Sequence, residues 1–283
     1  SLEHAKKHSV SHGVKTLDNL RSLTPFTKVF VTSTALGGHG VPLDHGAITV
    51  IYLSGMVSFE EYEQVNAPGL DRMVTKKIGK DLERARSDFI NSRKTPNTIG
   101  TLNVAEICSF LNINADEDAI FTNGAGNFAI WSGKYLNYSK EHRLLAPQAG
   151  AMGAGLPAAM AAKSIYPNRQ VICFAGDGDF QMSVNELGTA MQEGFNPIIL
   201  IHNNGSYGTI RMHQELRYPK KISGTNLKNP NFEFIAKAYD FGYFRVTNLN
   251  EFTSAFKKSQ RSQSGIIIEM IADIRDISPG KSI

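Results

Sequence analysis

Short apolar runs alternate with longer amphipathic segments from about residue 100 onward. Unbroken apolar runs are typical of strands buried on both faces of a sheet, and we predict strands at 119–122, 170–175, 197–202, 243–246 and 265–270. Apolar residues three or four positions apart predict helices around them, at 103–111, 127–138, 152–164, 183–193, 232–239 and 249–259. This alternation predicts an α/β fold with a doubly wound parallel sheet.

The first 92 residues show a shorter and less regular pattern. Two apolar runs, at 28–33 and 48–53, flank a glycine-rich turn at 37–40. Residues 76–94 are highly charged and predict an exposed helix or connector, and the stretch 93–97 reads as a linker. We therefore predict two parts, an incomplete α/β segment with a connector at 1–92 and the regular sheet domain at 93–283.

Composition and charge narrow the classes of function. Hydrophobic residues make up 41% of the 283 positions and charged residues 20%, as in globular proteins. A net charge of +4 without a basic block gives no support to a nucleic-acid partner. With no apolar run of about 18 residues, we expect no membrane partner. Two cysteines and an N-terminal stretch without a signal-like apolar core favour a cytoplasmic protein.

Polar and glycine residues follow two strands that we expect to be neighbours. Gly176, Asp177, Gly178 and Asp179 come directly after one apolar run, and residues 203–206 follow the next. The spacing fits one crossover helix and one strand, which places the two loops side by side. A carboxylate, an amide oxygen and a backbone carbonyl there would suit Mg²⁺, whose remaining sites go to water and phosphate oxygens. The alternative is a pair of ordinary strand-end turns, in which Asn, Gly and Asp are common.

The glycine-rich stretches around these loops carry a family resemblance. Residues 122–127, 148–157 and 174–180, together with the Asn-Asn pair of the next loop, resemble the cofactor domain of acetolactate-synthase-like enzymes that depend on thiamine diphosphate. The resemblance is strong from about residue 103 to 274. Residues 30–34 and 42–45 more weakly resemble part of the family's central domain, which implies a partial Rossmann-like segment before the cofactor-binding fold.

The resemblance implies which residues hold the metal and the diphosphate. Asp177 and Asn204 would ligate Mg²⁺ through their side chains, and Ser206 through its backbone carbonyl. The amides of Gly178 and Asp179 would bind the diphosphate. The other residues that the resemblance places beside the cofactor are Gly126, Asn127, Phe128, Gly176 and Tyr207. Phe128 stands where acetolactate synthases carry a histidine, so its contact could only be through the backbone.

Two residues are implied to orient the rest of the cofactor. Gly150 would accept a hydrogen bond from the 4′-amino group of the pyrimidine, and Met152 would support the bend that brings this group close to C2 of the thiazolium. The structural alternative for Met152 is core filling. The family also needs a glutamate from a pyrimidine-binding domain, which we do not find in this chain. The resemblance therefore implies a partner domain or subunit that carries it.

Substrate residues are less defined. His213 stands where acetolactate synthases carry a tryptophan, and Arg211 follows Ile210 where pyruvate decarboxylases carry a glutamate. Arg211 or His213 could hold a substrate carboxylate, and exposed loop residues are the alternative. We expect His202, at the end of an apolar run, to be a core histidine with satisfied hydrogen bonds.

The resemblance implies decarboxylation and carboligation of a 2-oxo acid such as pyruvate, with thiamine diphosphate and Mg²⁺ as cofactors. This chain would supply the diphosphate half of the site, in a homodimer or tetramer. FAD stays open, because some relatives hold it in the central domain. The alternatives are a cofactor-binding scaffold without activity and a 2-oxo acid decarboxylase without ligase activity.

Overall fold

The structure is a computed structural model, and it describes residues 72–138 and 143–282. The elements that we predict within 1–71, including the partial Rossmann-like segment with its motifs at 30–34 and 42–45, lie outside the described residues. By its internal contacts the chain divides into two units, Ser1–Arg86 and Ser87–Ile283. The assignment of these parts as domains stays a prediction.

The second unit is built on a parallel sheet. Six strands pair in the order β2-β1-β3-β4-β6-β5, and every pair in the described part is parallel. The strands are β1 Ile120–Asn123, β2 Arg143–Leu145, β3 Val171–Gly176, β4 Ile198–Asn203, β5 Gly242–Val246 and β6 Ile266–Ile271. The predicted parallel α/β sheet is confirmed.

The helices of the described residues run between these strands, apart from the first two, which precede the sheet. They are α1 Arg72–Ser92, α2 Val104–Asn114, α3 Phe128–Tyr135, α4 Gly155–Ile165, α5 Asp177–Gln181, α6 Glu186–Glu193, α7 Gly208–Arg217, α8 Phe232–Ala238 and α9 Leu249–Ser259. Asparagine side chains cap α2, α8 and α9 by accepting from a first-turn amide; the caps are Asn103, Asn231 and Asn248. None of the helices in the described part is both long and apolar enough to cross a bilayer.

Two apolar layers cover the sheet, one on each face. Successive strand residues point to opposite faces, so Phe174 and Leu200 pack with α2, α3 and α9, whereas Cys173 and Ile201 pack with α4, α6 and α8. All four side chains are at most 2% exposed. The central strands are thus buried on both sides, as the predicted doubly wound arrangement requires, and their carboxyl ends are left to form a site.

Several element boundaries differ from those predicted. The helix predicted at 152–164 begins only at Gly155, because Gly153 has a φ of 80°, which an α-helix does not permit. The stretch predicted as a loop at 176–179 contains the start of α5, whose first turn carries two aspartates where the helix dipole favours them. The stretch after residue 207, for which no helix was predicted, is the helix α7. The short edge strand β2 was not predicted, and its residues are exposed.

Candidate functional site

A cleft opens at the carboxyl ends of β1, β3 and β4. Twelve of the fifteen residues that the sequence predicts for the site line it: Gly126, Asn127, Phe128, Met152, Gly176, Asp177, Gly178, Asp179, Asn204, Ser206, Tyr207 and Ile210. They come from four separate segments of the chain, so the fold alone brings them together. The remaining lining residues are Ala125, His202, Gly208, Thr209 and Ile277.

Asp177 joins the loops that follow β3 and β4. Its carboxylate is 2% exposed, and Oδ2 accepts a hydrogen bond from the backbone amide of Gly205 over 2.8 Å. Its Oδ1 accepts from the amide of Gly178 over 2.9 Å. A side chain from a third segment, Asn229, also donates to Oδ2 over 2.7 Å. The carboxylate is therefore held at the base of the cleft by donors from three parts of the chain.

The loop after β4 is fixed by a short antiparallel pairing. Asn204 Oδ1 accepts from the amide of Ser206 over 3.0 Å, and Gly205 adopts a φ of 66°. The Ser206 hydroxyl donates to the carbonyl of Thr225 over 2.8 Å. The amide of Leu227 donates to the carbonyl of Gly205 over 2.8 Å. Asn204 and the Ser206 backbone are thus presented to the cleft by a loop with little freedom.

Asp179 ties three glycine-containing segments together. Its Oδ1 accepts from the amides of Gly153 over 2.8 Å and Ala125 over 3.0 Å. The first of these bonds fixes the backbone directly after Met152, which lines the cleft. A Cβ on Gly124 would overlap the Asp179 carboxylate, so only glycine allows this approach. The side chain of Asp179 therefore shapes the cleft, whatever its amide binds.

Burial disfavours the charged form of both aspartates. Burial raises the pKa of Asp177, and hydrogen bonds from Asn229 and from the amides of Gly178 and Gly205 partly offset that rise. Burial likewise raises the pKa of Asp179, opposed by backbone amides that include that of Gly153. A buried carboxylate that faces only neutral donors gains from a cation placed beside it.

The donor set fits Mg²⁺ with a diphosphate. The side-chain donors are the carboxylate of Asp177 and the amide oxygen of Asn204, and oxygen is the ligand atom that Mg²⁺ prefers. In the described part of the chain, no three His, Cys, Asp or Glu side chains group together in the way a zinc site requires. Two protein side chains leave several positions for water and phosphate oxygens, and Gly178, packed against Tyr207, allows close approach of backbone to a ligand.

Three predicted site residues do not line the cleft. Gly150 is exposed in a turn and has a φ of 64°. Arg211 lies on α7, and its guanidinium forms an ion pair with Glu215 over 3.0 Å. His213 is exposed on the same helix. Neither side chain is among those that line the cleft, and a contact of Arg211 or His213 with a substrate carboxylate stays a prediction.

His202 differs from its prediction. The imidazole is 6% exposed, yet its Nδ1 has no hydrogen-bond partner among the described residues, and the side chain lines the cleft. Burial lowers the pKa of His202 to about 4, and the charge of Asp276 opposes this. The prediction of a satisfied core histidine is therefore wrong. Its position directly before Asn203, at the end of an apolar strand, was the sequence signal for a place in the cleft.

Sequence reasoning also missed two contacts to predicted residues. Thr209 donates through its hydroxyl to Asn127 Oδ1 over 2.9 Å, which links α7 to the loop after β1. Asn229 contacts Asp177 across 52 positions of the chain. Neither residue belongs to a motif with a recognisable spacing, so no local pattern indicated them.

Comparisons with known proteins agree with this geometry. A family model described as "Thiamine pyrophosphate enzyme, C-terminal TPP binding domain" matches residues 124–270. The acetolactate synthase large subunit of Porphyra purpurea is 32% identical over 173 residues, which cover 59% of this chain and 29% of that protein. The acetolactate synthase large subunit of Lactococcus lactis is 29% identical over 212 residues, covering 70% of this chain and 37% of the relative.

A solved structure is also similar. The thiamine diphosphate-dependent 4-hydroxybenzoylformate decarboxylase of Rhodococcus jostii RHA1 superposes with a TM-score of 0.58 at 27% identity. The match covers 63% of this chain and 34% of that one. The matched part of the chain thus spans only about a third of the length of each of these proteins.

Proposed function

The chain belongs to the thiamine pyrophosphate enzymes, by their C-terminal TPP-binding domain, and from that premise we propose that it acts in the decarboxylation and carboligation of a 2-oxo acid such as pyruvate. Thiamine diphosphate and Mg²⁺ are the cofactors, and residues 93–283 form the domain that holds the diphosphate. The observation that carries the proposal is the contact of the loops bearing Asp177 and Asn204 at the base of one cleft.

Each part of the cleft has a role in this proposal. Asp177 and Asn204 hold Mg²⁺ through their side chains and Ser206 through its carbonyl, while the amides of Gly178 and Asp179 bind the diphosphate. When bound, thiamine diphosphate supplies the nucleophilic carbon and the electron sink that decarboxylation of a 2-oxo acid requires.

The apolar part of the lining has a separate role. Met152, fixed through the bond from Gly153 to Asp179, supports the bent shape of the cofactor. The side chains of Phe128, Ile210 and Ile277 reduce the access of water to the reacting atoms. Gly150, in its exposed turn, remains our proposal for the contact to the pyrimidine amino group, at the face where a second domain would complete the site.

The proposal includes that second domain. A pyrimidine-binding domain or subunit supplies the activating glutamate, and the active assembly is a homodimer or tetramer. A 2-oxo acid decarboxylase without ligase activity is the second candidate, because the similar solved structure is named for the decarboxylation of 4-hydroxybenzoylformate, itself a 2-oxo acid.

Release of CO₂ from 2-oxo acids tests the proposal. The chain, combined with the domain or subunit that carries the glutamate, is incubated with thiamine diphosphate, Mg²⁺ and pyruvate or benzoylformate. We expect CO₂ release that needs both cofactors and is lost in Asp177→Asn but not in Asp81→Asn, whose side chain is exposed on α1. A ligated product indicates carboligation, and an aldehyde alone indicates the decarboxylase. Saturable cofactor binding without CO₂ from any 2-oxo acid would instead identify a scaffold.

A further inference from the structure

The side-chain amide of Asn229 contacts Asp177, and both its nitrogen and its oxygen form hydrogen bonds. Its Nδ2 donates to Asp177 Oδ2 over 2.7 Å and to Asn203 Oδ1 over 2.9 Å. Its Oδ1 accepts from Gln181 Nε2 over 3.0 Å. The reversed orientation of the amide would place Oδ1 against a carboxylate and a second amide oxygen, which are both acceptors. The three neighbours therefore fix which way Asn229 points.

The side chain of Asn203 is itself fixed by a hydrogen bond to the neighbouring strand. Its Nδ2 donates to Glu269 Oε1 over 2.5 Å, and Glu269 is 7% exposed. The other oxygen of Glu269 accepts from the hydroxyl of Tyr243. Hydrogen bonds thus run without a break from Tyr243 on β5, through β6 and β4, to Asn229. The network that presents Asn229 to Asp177 is anchored in the sheet.

As a consequence, the two carboxylate oxygens of Asp177 accept different numbers of hydrogen bonds. Oδ2 accepts two hydrogen bonds, from Asn229 and from the amide of Gly205. Oδ1 accepts from the amide of Gly178, one residue on. Each carboxylate oxygen offers about two lone pairs, so Oδ2 is filled, whereas Oδ1 keeps a lone pair for a further partner.

We propose that Asn229 is a positioning residue for Asp177, which holds Oδ2 and so presents Oδ1 as the oxygen that binds the divalent cation. This inference rests on the metal site of the proposed function. Partners that orient a ligand in this way typically change metal affinity by 10–100-fold when they are removed. Without Asn229, the carboxylate can rotate, and Asn203 Oδ1 loses one of its donors.

The chain offers a matched control two residues away. Asn231 caps α8 by accepting from the amide of Phe234 over 3.1 Å, and its side chain is exposed. Asn231→Ala therefore disturbs the same loop and lowers stability, since a lost N-cap is destabilising. It leaves the hydrogen bonds of Asp177 in place. A merely structural role of Asn229 would make the two variants behave alike.

Mn²⁺ binding separates the two roles. The dissociation constant of Mn²⁺ is measured from the electron paramagnetic resonance signal of the free ion, with saturating thiamine diphosphate, alongside thermal unfolding without metal. We expect Asn229→Ala to raise the constant about 10–100-fold, and Asn231→Ala to change it less than about twofold while it lowers the melting temperature. Asn229→Gln, which retains an amide donor, should recover part of the affinity. Asn229→Leu, which has a similar shape but no donor, serves as the test should Asn229→Ala fail to fold.

Two results would overturn the inference, and they are distinguishable. An unchanged Mn²⁺ constant in Asn229→Ala, or in Asn229→Leu if only that variant folds, alongside lost binding in Asp177→Asn, refutes the role of Asn229 and leaves the metal site standing. Unchanged Mn²⁺ binding in Asp177→Asn refutes the metal site itself, and the proposed function with it.

Discussion

The backbone amide of Gly205 donates to Asp177 Oδ2 over 2.8 Å, although the two residues are 28 positions apart in the chain. Gly205 follows β4 and Asp177 follows β3, and these strands are paired neighbours in the sheet. The bond brings Asn204, which precedes Gly205, to the base of the cleft where Asp177 lies. The proposed metal site is therefore a direct result of parallel strand order.

Gly124 tests the close approach of the loop after β1 to Asp179. In Gly124→Ala the new Cβ would overlap the Asp179 carboxylate, which already accepts from two backbone amides and cannot move without losing them. We expect a loss of ~1–3 kcal/mol in the free energy of unfolding, as for other overpacked sites. Chemical denaturation measures it.

Gly133 supplies the control for that substitution. It lies in α3 with no described atom within 4 Å of a Cβ, so Gly133→Ala should raise stability by up to about 1 kcal/mol. If Gly124→Ala is as stable as the wild type, the close contact between Gly124 and Asp179 is wrong.

Asp179→Ala tests the hydrogen bonds through which the Asp179 carboxylate links its own segment to two others. Removal of the carboxylate leaves the amides of Ala125 and Gly153 without their acceptor, and the backbone after Met152 becomes free to move. We expect faster hydrogen exchange at these two amides and a loss of ~1–3 kcal/mol in the free energy of unfolding, because hydrogen bonds to a charged group are lost. Unchanged protection of both amides would contradict the account.

Because His202 is buried, we expect the stability of the protein to depend on pH. The folded-state pKa is lowered to about 4 by burial, whereas an unfolded histidine titrates near 6.5. Between these values the unfolded chain binds a proton that the folded chain does not, so the free energy of unfolding falls as the pH falls. From pH 7.5 to 5 this loss should be ~2 kcal/mol, at about 1.4 kcal/mol per pKa unit.

Two variants isolate this effect in the chain without metal or cofactor. His202→Leu should lose this part of the pH dependence, while contributions from the buried aspartates remain in both proteins and cancel in the difference. His213→Leu, the same exchange at an exposed position, is the control. The free energy of unfolding is measured at pH 7.5 and 5 for each protein. An equal loss between these pH values in the wild type and in His202→Leu would refute the buried, neutral histidine.

The sheet was predictable because its central strands carry an unbroken apolar signal. The run predicted at 197–202 is the strand Ile198–Asn203, displaced by one residue. The helix predicted at 249–259 has the same bounds in the structure, since its apolar stripe is regular and Asn248 caps it. By contrast, α7 buries none of its residues, so no periodic pattern distinguished it from a loop.

The candidate site was predictable where it depends on strand ends, and not where it depends on distant loops. Asp177 and Asn204 follow consecutive apolar runs, so parallel pairing alone places them together. Asn229 reaches Asp177 from the segment between α7 and α8, and the course of such a segment follows from tertiary packing. The side-chain role of Asp179 was missed for the same reason, because its partners lie 26 and 54 positions away.

Calorimetric titration of the chain with thiamine diphosphate, with and without Mg²⁺, tests the central claim most directly. We expect binding that depends on Mg²⁺ in the wild type and is abolished in Asp177→Asn, an exchange that preserves shape but removes the charge. Equal affinity in the two proteins, or binding in the wild type that is indifferent to Mg²⁺, would contradict it.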